Sequence, residues 1–317
     1  MGRAATTGYV TELTRRKTLD REMSLHRLPD NPIVRPNMDE RMGDNINGPS
    51  LIRAPQWLEN PLGRYYLYFG HHKGTYIRLA YADGPEGPYT TYEPGVLELA
   101  DSFATDHIAS PDVHVDHGRR EIVMYYHGKQ SVDAPGQETR VALSPDGVNF
   151  TAQPEVLGAP YFRVFQHRGR HYAIGMPGIL YRSADGRSGF ERASQILPDE
   201  ARHVAVLLNG DSLTLFYTMV GETPPESIIA GEIDLSLDWT DWSVERSREL
   251  LRPELDWEGA NQPLAPSARG IIEPPVNQLR DPCIFEDGDA TYLLYAVAGE
   301  RGIAIARLEA LSGPTAL

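Results

Sequence analysis

Five times along this chain an apolar run is followed by a short polar turn and then by an aromatic-rich apolar run. The first copy joins Gly48-Pro49-Ser50-Leu51-Ile52 to Arg64-Tyr65-Tyr66-Leu67-Tyr68-Phe69. The second joins Ser110-Pro111-Asp112-Val113-His114-Val115 to Ile122-Val123-Met124-Tyr125-Tyr126-His127. The third joins Ala159-Pro160-Tyr161-Phe162-Arg163-Val164 to His171-Tyr172-Ala173-Ile174. A fourth, without the proline, joins His203-Val204-Ala205-Val206-Leu207 to Leu213-Thr214-Leu215-Phe216-Tyr217. The fifth joins Asp281-Pro282-Cys283-Ile284-Phe285 to Thr291-Tyr292-Leu293-Leu294-Tyr295. Short runs rich in Tyr, Val and Ile suit strands, and no long 3.6-residue stripe competes with them. Repeats spaced roughly 40–60 residues apart predict an all-β chain folded as a five-bladed β-propeller.

A third strand is expected in each blade, at residues 76–82, 139–144, 178–183, 228–233 and 302–307. Gly-, Pro- and Asp-rich turns at 83–89, 144–150 and 184–186 follow the first three of these. The last blade lacks sequence for an outer strand. The segment near Ile33-Val34 is expected to supply it and close the ring, which removes an exposed sheet edge. Residues 1–23 read as a polar N-terminal arm, helical around 11–23, and residues 24–317 as one propeller domain. The Pro-rich stretch 252–279 is long for a loop and is expected to wrap the surface.

Charge and composition narrow the function. The 317 residues carry 44 acids against 30 bases, a net charge of −14. That argues against nonspecific attraction to a phosphate backbone, so no nucleic-acid partner is expected. No window approaches the roughly 20 apolar residues that span a bilayer, so no membrane partner is expected. A single cysteine, Cys283, excludes an intrachain disulfide and a cysteine-cluster metal site. No apolar leader precedes the repeats, and the cytoplasm is the expected compartment.

In a propeller, the first residues of each innermost strand and the turn after each second strand face the axis. Strand entries therefore nominate Asn45, Asn47, His107, Asp112, Tyr161, Arg163, Arg202, His203, Arg280 and Asp281. Second-strand ends nominate His71, His72, His127, Met176, Met219, Glu222 and Glu300. Asp281 and Asp112 are the two candidate carboxylates for catalysis. His72, His107 or His127 is the candidate acid, since imidazole titrates near neutrality. Asn47, Tyr161, Arg163, His203, Arg280 and Glu222 are candidate substrate contacts. An unpaired buried guanidinium is costly, so Arg163 should meet a carboxylate, and an acidic sugar would serve.

The Ser110-Pro111-Asp112-Val113-His114 segment, the tandem-tyrosine strands and Arg280-Asp281-Pro282 resemble the five-bladed propeller glycosidases. These are the family 43 type and relatives such as the neoagarobiose hydrolases. The resemblance spans nearly the whole chain. It implies an exo-acting glycoside hydrolase acting on an oligosaccharide or small glycoside, with a base, a tuning carboxylate and a proton donor on different blades. Asp112 matches the tuning position, so the resemblance implies Asp112 as modulator and Asp281 as base, and the neoagarobiose hydrolases offer a precedent for a histidine donor. The chain departs from the pattern where a base-bearing Asp-Pro is replaced by Gly48-Pro49. It departs again where a Glu before Gly-Pro is replaced by Gly158-Ala159-Pro160.

Two alternatives stand beside that reading. One is a His-rich enzyme, either a hydrolase holding a divalent metal through His72, His107, His127 and Asp112, or a polysaccharide lyase carried by Tyr161 and Arg163. The other is a non-catalytic carbohydrate-binding propeller, which the absent family carboxylates favour.

Overall fold

The computed structural model describes residues 23–131, 133, 136–221 and 223–310. The chain opens with β1 (Met23–Arg27). Blade 1 is β2 (Asn47–Arg53), β3 (Tyr65–Gly70), β4 (Tyr76–Ala82) and β5 (Thr90–Glu98). Blade 2 is β6 (Ile108–Asp116), β7 (Glu121–Gly128), β8 (Glu138–Ser144) and β9 (Thr151–Ala152). Blade 3 is β10 (Arg163–His167), β11 (Arg170–Gly175), β12 (Ile179–Ser183) and β13 (Glu191–Gln195). Blade 4 is β14 (Ala201–Asn209), β15 (Ser212–Met219), β16 (Ile228–Asp234) and β17 (Glu245–Leu251). Blade 5 is β18 (Arg280–Asp287), β19 (Ala290–Ala296) and β20 (Ile303–Ala310), completed by β1. Each blade is a four-stranded antiparallel sheet, and the five-bladed propeller is as the repeats predict.

The aromatic strands explain the architecture. Successive side chains on a strand point to opposite faces, and a sheet covered on both faces reads as a continuous apolar run. On β3, Tyr65, Leu67 and Phe69 pack with Phe285, Leu294 and Ile305 of blade 5. The intervening Tyr66 and Tyr68 pack with Ile122, Met124 and Tyr126 of blade 2. Further apolar clusters fill the junctions of blades 2 and 3, 3 and 4, and 4 and 5. Tyrosine suits this role because its hydroxyl can reach past the apolar layer. Tyr68 donates to Gly147 O in the blade 2 turn, and Tyr125 donates to Gly186 O in the matching blade 3 turn. Both turns are held alike. Ser144 and Ser183 Oγ accept from the N–H of Gly147 and Gly186.

The ring is closed by an N-terminal strand, but ten residues earlier than expected. β1 runs antiparallel to β20, with Met23 opposite Ala310 and Arg27 opposite Ala306. Val34 makes only an isolated bridge to Ile303. Pro32 and Pro36 flank that segment and cannot donate to a ladder, whereas Met23–Arg27 contains no proline. Apart from Met23, which begins β1, the arm expected to be helical lies outside the described residues. Arg27 anchors the closure by donating from Nε to Glu258 Oε1 at 2.7 Å. Glu258 sits fully buried in the 252–279 stretch and also accepts from Tyr295 OH and from the N–H of Glu254 and Leu255. That stretch lies against blades 4 and 5, where Ser267 bridges Gly221 and Glu258 meets Tyr295, and it reaches the axis through Gln278. No helix among the described residues is long and apolar enough to cross a membrane.

Candidate active site at the propeller axis

At one position in every blade the backbone turns left-handed. Gly48, Ser110, Tyr161, His203 and Asp281 have φ of 60°, 47°, 62°, 36° and 48°. Each sits where its blade's innermost strand begins. In four blades the pairing register between the first two strands slips at that point, as in a β-bulge. A non-glycine residue held this way costs about 1–3 kcal/mol and persists only where the surroundings fix it. The ring is tight here: a Cβ on Gly48 would lie 2.9 Å from Ser110 Cα.

These turns aim their side chains at a small cavity on the axis, too tight in this structure for a water molecule. Ser110, Tyr161, His203 and Asp281 line it, joined by Asn47, Ala109, His72 and Glu300. Two histidine–carboxylate pairs dominate. His203 Nδ1 is 2.8 Å from Asp281 Oδ1, and both side chains are nearly inaccessible. His72 Nδ1 is 3.0 Å from Glu300 Oε1.

Behind them lies a buried ionic layer. Arg280 Nη1 donates to Glu300 Oε1 at 2.8 Å, and its Nε donates to Gln278 Oε1 at 3.1 Å. Glu226, buried, lies 3.6 Å from Arg202 Nε and 3.5 Å from Arg280 Nε. Asn45 Nδ2 donates to Glu300 Oε2 at 2.7 Å, while Asn45 Oδ1 accepts from Asn47 Nδ2 and from the His72 N–H. The wrapping stretch contributes Gln278 and the Ile272 N–H, which approaches Glu300 Oε2 at 3.5 Å.

Electrostatics follow from this layer. Burial alone would raise the Asp281 pKa, but His203, Arg202 and Arg280 outweigh it and hold the carboxyl well below the usual range. Glu300 behaves alike: burial opposes its charge, and His72, Arg280 and Asn45 overcome that. Burial pushes His203 down, with Asp281 pulling the other way. Tyr161 is pushed up, chiefly by burial, and stays a neutral phenol. Its ring lies 4.7 Å from that of His203 and 4.0 Å from that of His127.

The chain is 36% identical to "uncharacterized protein R118" of Acanthamoeba polyphaga mimivirus, over 90% of this chain and 91% of the viral one. It belongs to the family of that viral protein. No protein-family model matches the chain. Among solved structures, a glycosyl hydrolase from Bacteroides ovatus superposes with a TM-score of 0.64 at 13% identity, over 90% of this chain and 93% of that one. The GH43_1 enzyme from Xanthomonas citri superposes with a TM-score of 0.58 at 14% identity, over 90% and 97%. At these identities the likeness is one of fold, and the fold is the five-bladed propeller of the family 43-like glycosidases.

The axial rule therefore brings Asn47, His72, Tyr161, His203 and Asp281 to one cavity, with Arg280 directly behind. Glu222 lies outside the described residues. His107 pairs with Asp106 at 2.8 Å and sets its ring edge-on to His127. His127 is buried beneath Tyr161, where burial drives its pKa well down and no hydrogen-bond partner reaches Nδ1.

Asp112 and Arg163 do not reach the cavity. Asp112 Oδ2 accepts from the Val164 N–H at 2.8 Å and lies 2.9 Å from His114 Nε2. Arg163 donates from Nη1 to Pro111 O at 3.1 Å and helps hold the Asp112 carboxyl down, so the carboxylate it was expected to meet is Asp112, away from the cavity. The reason is register. Stacking Pro49, Pro111 and Pro282 aligns Gly48, Ser110 and Asp281, so Asp112 sits two places past the axial position, level with Ser50 and Cys283. That signal was present in the prolines.

Glu300, nominated only as a strand end, proves to be the partner of His72. Glu226 and Gln278 carry no local signal at all. Among the described residues no set of three or more His, Cys, Asp or Glu side chains is arranged to hold a metal ion. A separate open cleft between blades 2 and 3, lined by His114, His117, His171, Arg119 and Arg187, is far larger, about 760 Å³. Its Arg187 is already paired with Asp116 and Glu121.

Proposed function

We propose that this protein is an exo-acting glycoside hydrolase working at the axial cavity. Asp281 supplies the basic function and His72 the proton for the leaving oxygen. The observation that carries this reading is the meeting of Asp281, Glu300, His72 and His203 in one cavity, inside a fold shared with propeller glycosidases. Glycoside hydrolysis needs a proton delivered to the leaving oxygen and a base on the other side.

Of the three donor candidates, only His72 lines the cavity. The cavity is closed to a water-sized sphere in this structure, so the reading requires the axial side chains to part to admit one terminal ring. Two ionised carboxylates at the wall favour a neutral sugar over a uronate. The lyase alternative is weakened because its carriers are apart: Tyr161 lines the cavity and Arg163 is spent on a backbone carbonyl.

The test is a screen of aryl glycosides and natural oligosaccharides with the wild type, Asp281→Asn and His72→Gln. Each substitution is expected to lower kcat/KM by about 10²–10⁴-fold. A wild type that binds oligosaccharides without turnover would replace the hydrolase with a carbohydrate-binding propeller.

A further inference from the structure

Both histidines at the axial cavity commit the same ring atom. Nδ1 of His203 faces Asp281 at 2.8 Å, and Nδ1 of His72 faces Glu300 at 3.0 Å. Nε2 is thereby left, on each ring, as the nitrogen that can meet a ligand. The carboxylates are committed in turn. Glu300 also accepts from Arg280 and Asn45. A carboxylate tied to an imidazole and flanked by guanidiniums is a weak base toward water. An imidazole that donates Nδ1–H to such a carboxylate is an effective one, as in hydrolytic triads.

Geometry also fixes the His203 tautomer. Arg202 Nε approaches the same Nδ1 at 3.3 Å and could donate only if Nδ1 lacked its proton. The shorter contact, to an ionised carboxylate, decides for Nδ1–H. Arg202 Nε then has Glu226 Oε1 as its counter-charge, 3.6 Å away. Neutral His203 so arranged carries its lone pair on Nε2.

We infer that the axial site is a two-histidine acid–base centre, with His203 positioned by Asp281 as the base and His72 positioned by Glu300 as the acid. The inference rests on the glycosidase reading and changes which atoms touch the substrate. Water loses one proton to His203 Nε2 as its oxygen bonds the anomeric carbon. The anomeric bond to the leaving oxygen breaks, and its electron pair stays on that oxygen. The oxygen takes a proton from Nε2 of the His72 imidazolium. His203 ends protonated and His72 neutral, and one exchange of protons with solvent restores both. Displacement in a single step, with no bond to Asp281, inverts the anomeric centre. Asp281 and Glu300 are positioning residues.

The experiment compares the wild type, His203→Ala, His203→Gln and Asp281→Ala on a substrate that the wild type turns over, with imidazole or azide added. His203→Ala is expected to lose about 10²–10⁴-fold in kcat/KM and to recover in part with imidazole, and proton NMR of the wild-type product should find the inverted anomer. Activity of both His203 variants near that of the wild type overturns the inference while the hydrolase reading stands. So does a glycosyl azide formed by Asp281→Ala, because it puts the carboxylate against the anomeric carbon. Absence of any wild-type turnover overturns the hydrolase reading instead. The dyad is then judged on wild-type ¹⁵N imidazole NMR at neutral pH: Nδ1–H on His203 supports it and Nε2–H overturns it.

Discussion

The Asp281–His203 and Asp112–His114 pairs are made of the same residue types at nearly the same separation, 2.8 and 2.9 Å. Their surroundings differ. Asp281 occupies the left-handed position that points at the axis, and both members of its pair are sealed, with 3% and 4% of their side chains accessible. Asp112 lies two residues past the equivalent turn. Its carboxylate faces the neighbouring blade, where it accepts the Val164 N–H, and its His114 partner is 41% accessible in the open cleft. An Asp next to a proline is therefore not a catalytic signal in this fold. The bulge that opens the strand decides whether the side chain faces the shared cavity or the seam between two blades.

Removing the seam carboxylate is the strongest way to break this comparison. Asp112→Ala leaves the buried Val164 N–H without its acceptor, at a cost of about 1–3 kcal/mol. Urea denaturation should register that loss while glycoside turnover stays essentially unchanged. A large loss of turnover in a folded variant would return Asp112 to the active site.

The axial turns offer a somewhat smaller effect. Gly48→Ala places a methyl at φ 60° and 2.9 Å from Ser110 Cα. It is expected to destabilise by about 1–2 kcal/mol. Ser110→Gly, at the neighbouring turn, should be neutral or slightly stabilising, because glycine adopts this conformation freely. Equal effects of the two changes on the denaturation midpoint would remove the claim that the ring of turns is tight.

The smallest expected effect is a pH slope. Burial, helped by Arg78, pushes His71 beside the axial site down to about 4. Well above pH 6.5 neither state holds that proton and the stability is complete. As pH falls from 6.5 toward 4 the unfolded chain gains a proton that the native chain refuses, so stability declines through that window. His71→Gln should flatten the fall in thermal midpoint between pH 7 and 4.5. An unchanged slope would place the acid sensitivity elsewhere.

The fold was legible because its signal is local and repeated. Tyr65 to Phe69 reads as a run apolar on both faces because both faces are covered, one by blade 5 and the other by blade 2. The turns 144–150 and 184–186 were legible because Ser, Asp and Gly bond their own backbone there. The site was legible in part. The axial rule found His72, Tyr161, His203 and Asp281, since any propeller brings strand entries to its centre. It misassigned Asp112, because a shift of two residues is small in sequence and moves the side chain from the cavity to a seam.

The sequence alone determined five blades, their order, and a centre rich in imidazole and carboxylate. Tertiary structure decided which carboxylate each imidazole holds. Glu300 meets His72 across 228 residues, and the buried Glu226 faces Arg202 and Arg280 from a loop without any motif. Such pairings depend on how far each blade is rotated about the axis. That rotation is set by the sum of all five apolar junctions, and no single segment of the chain contains it.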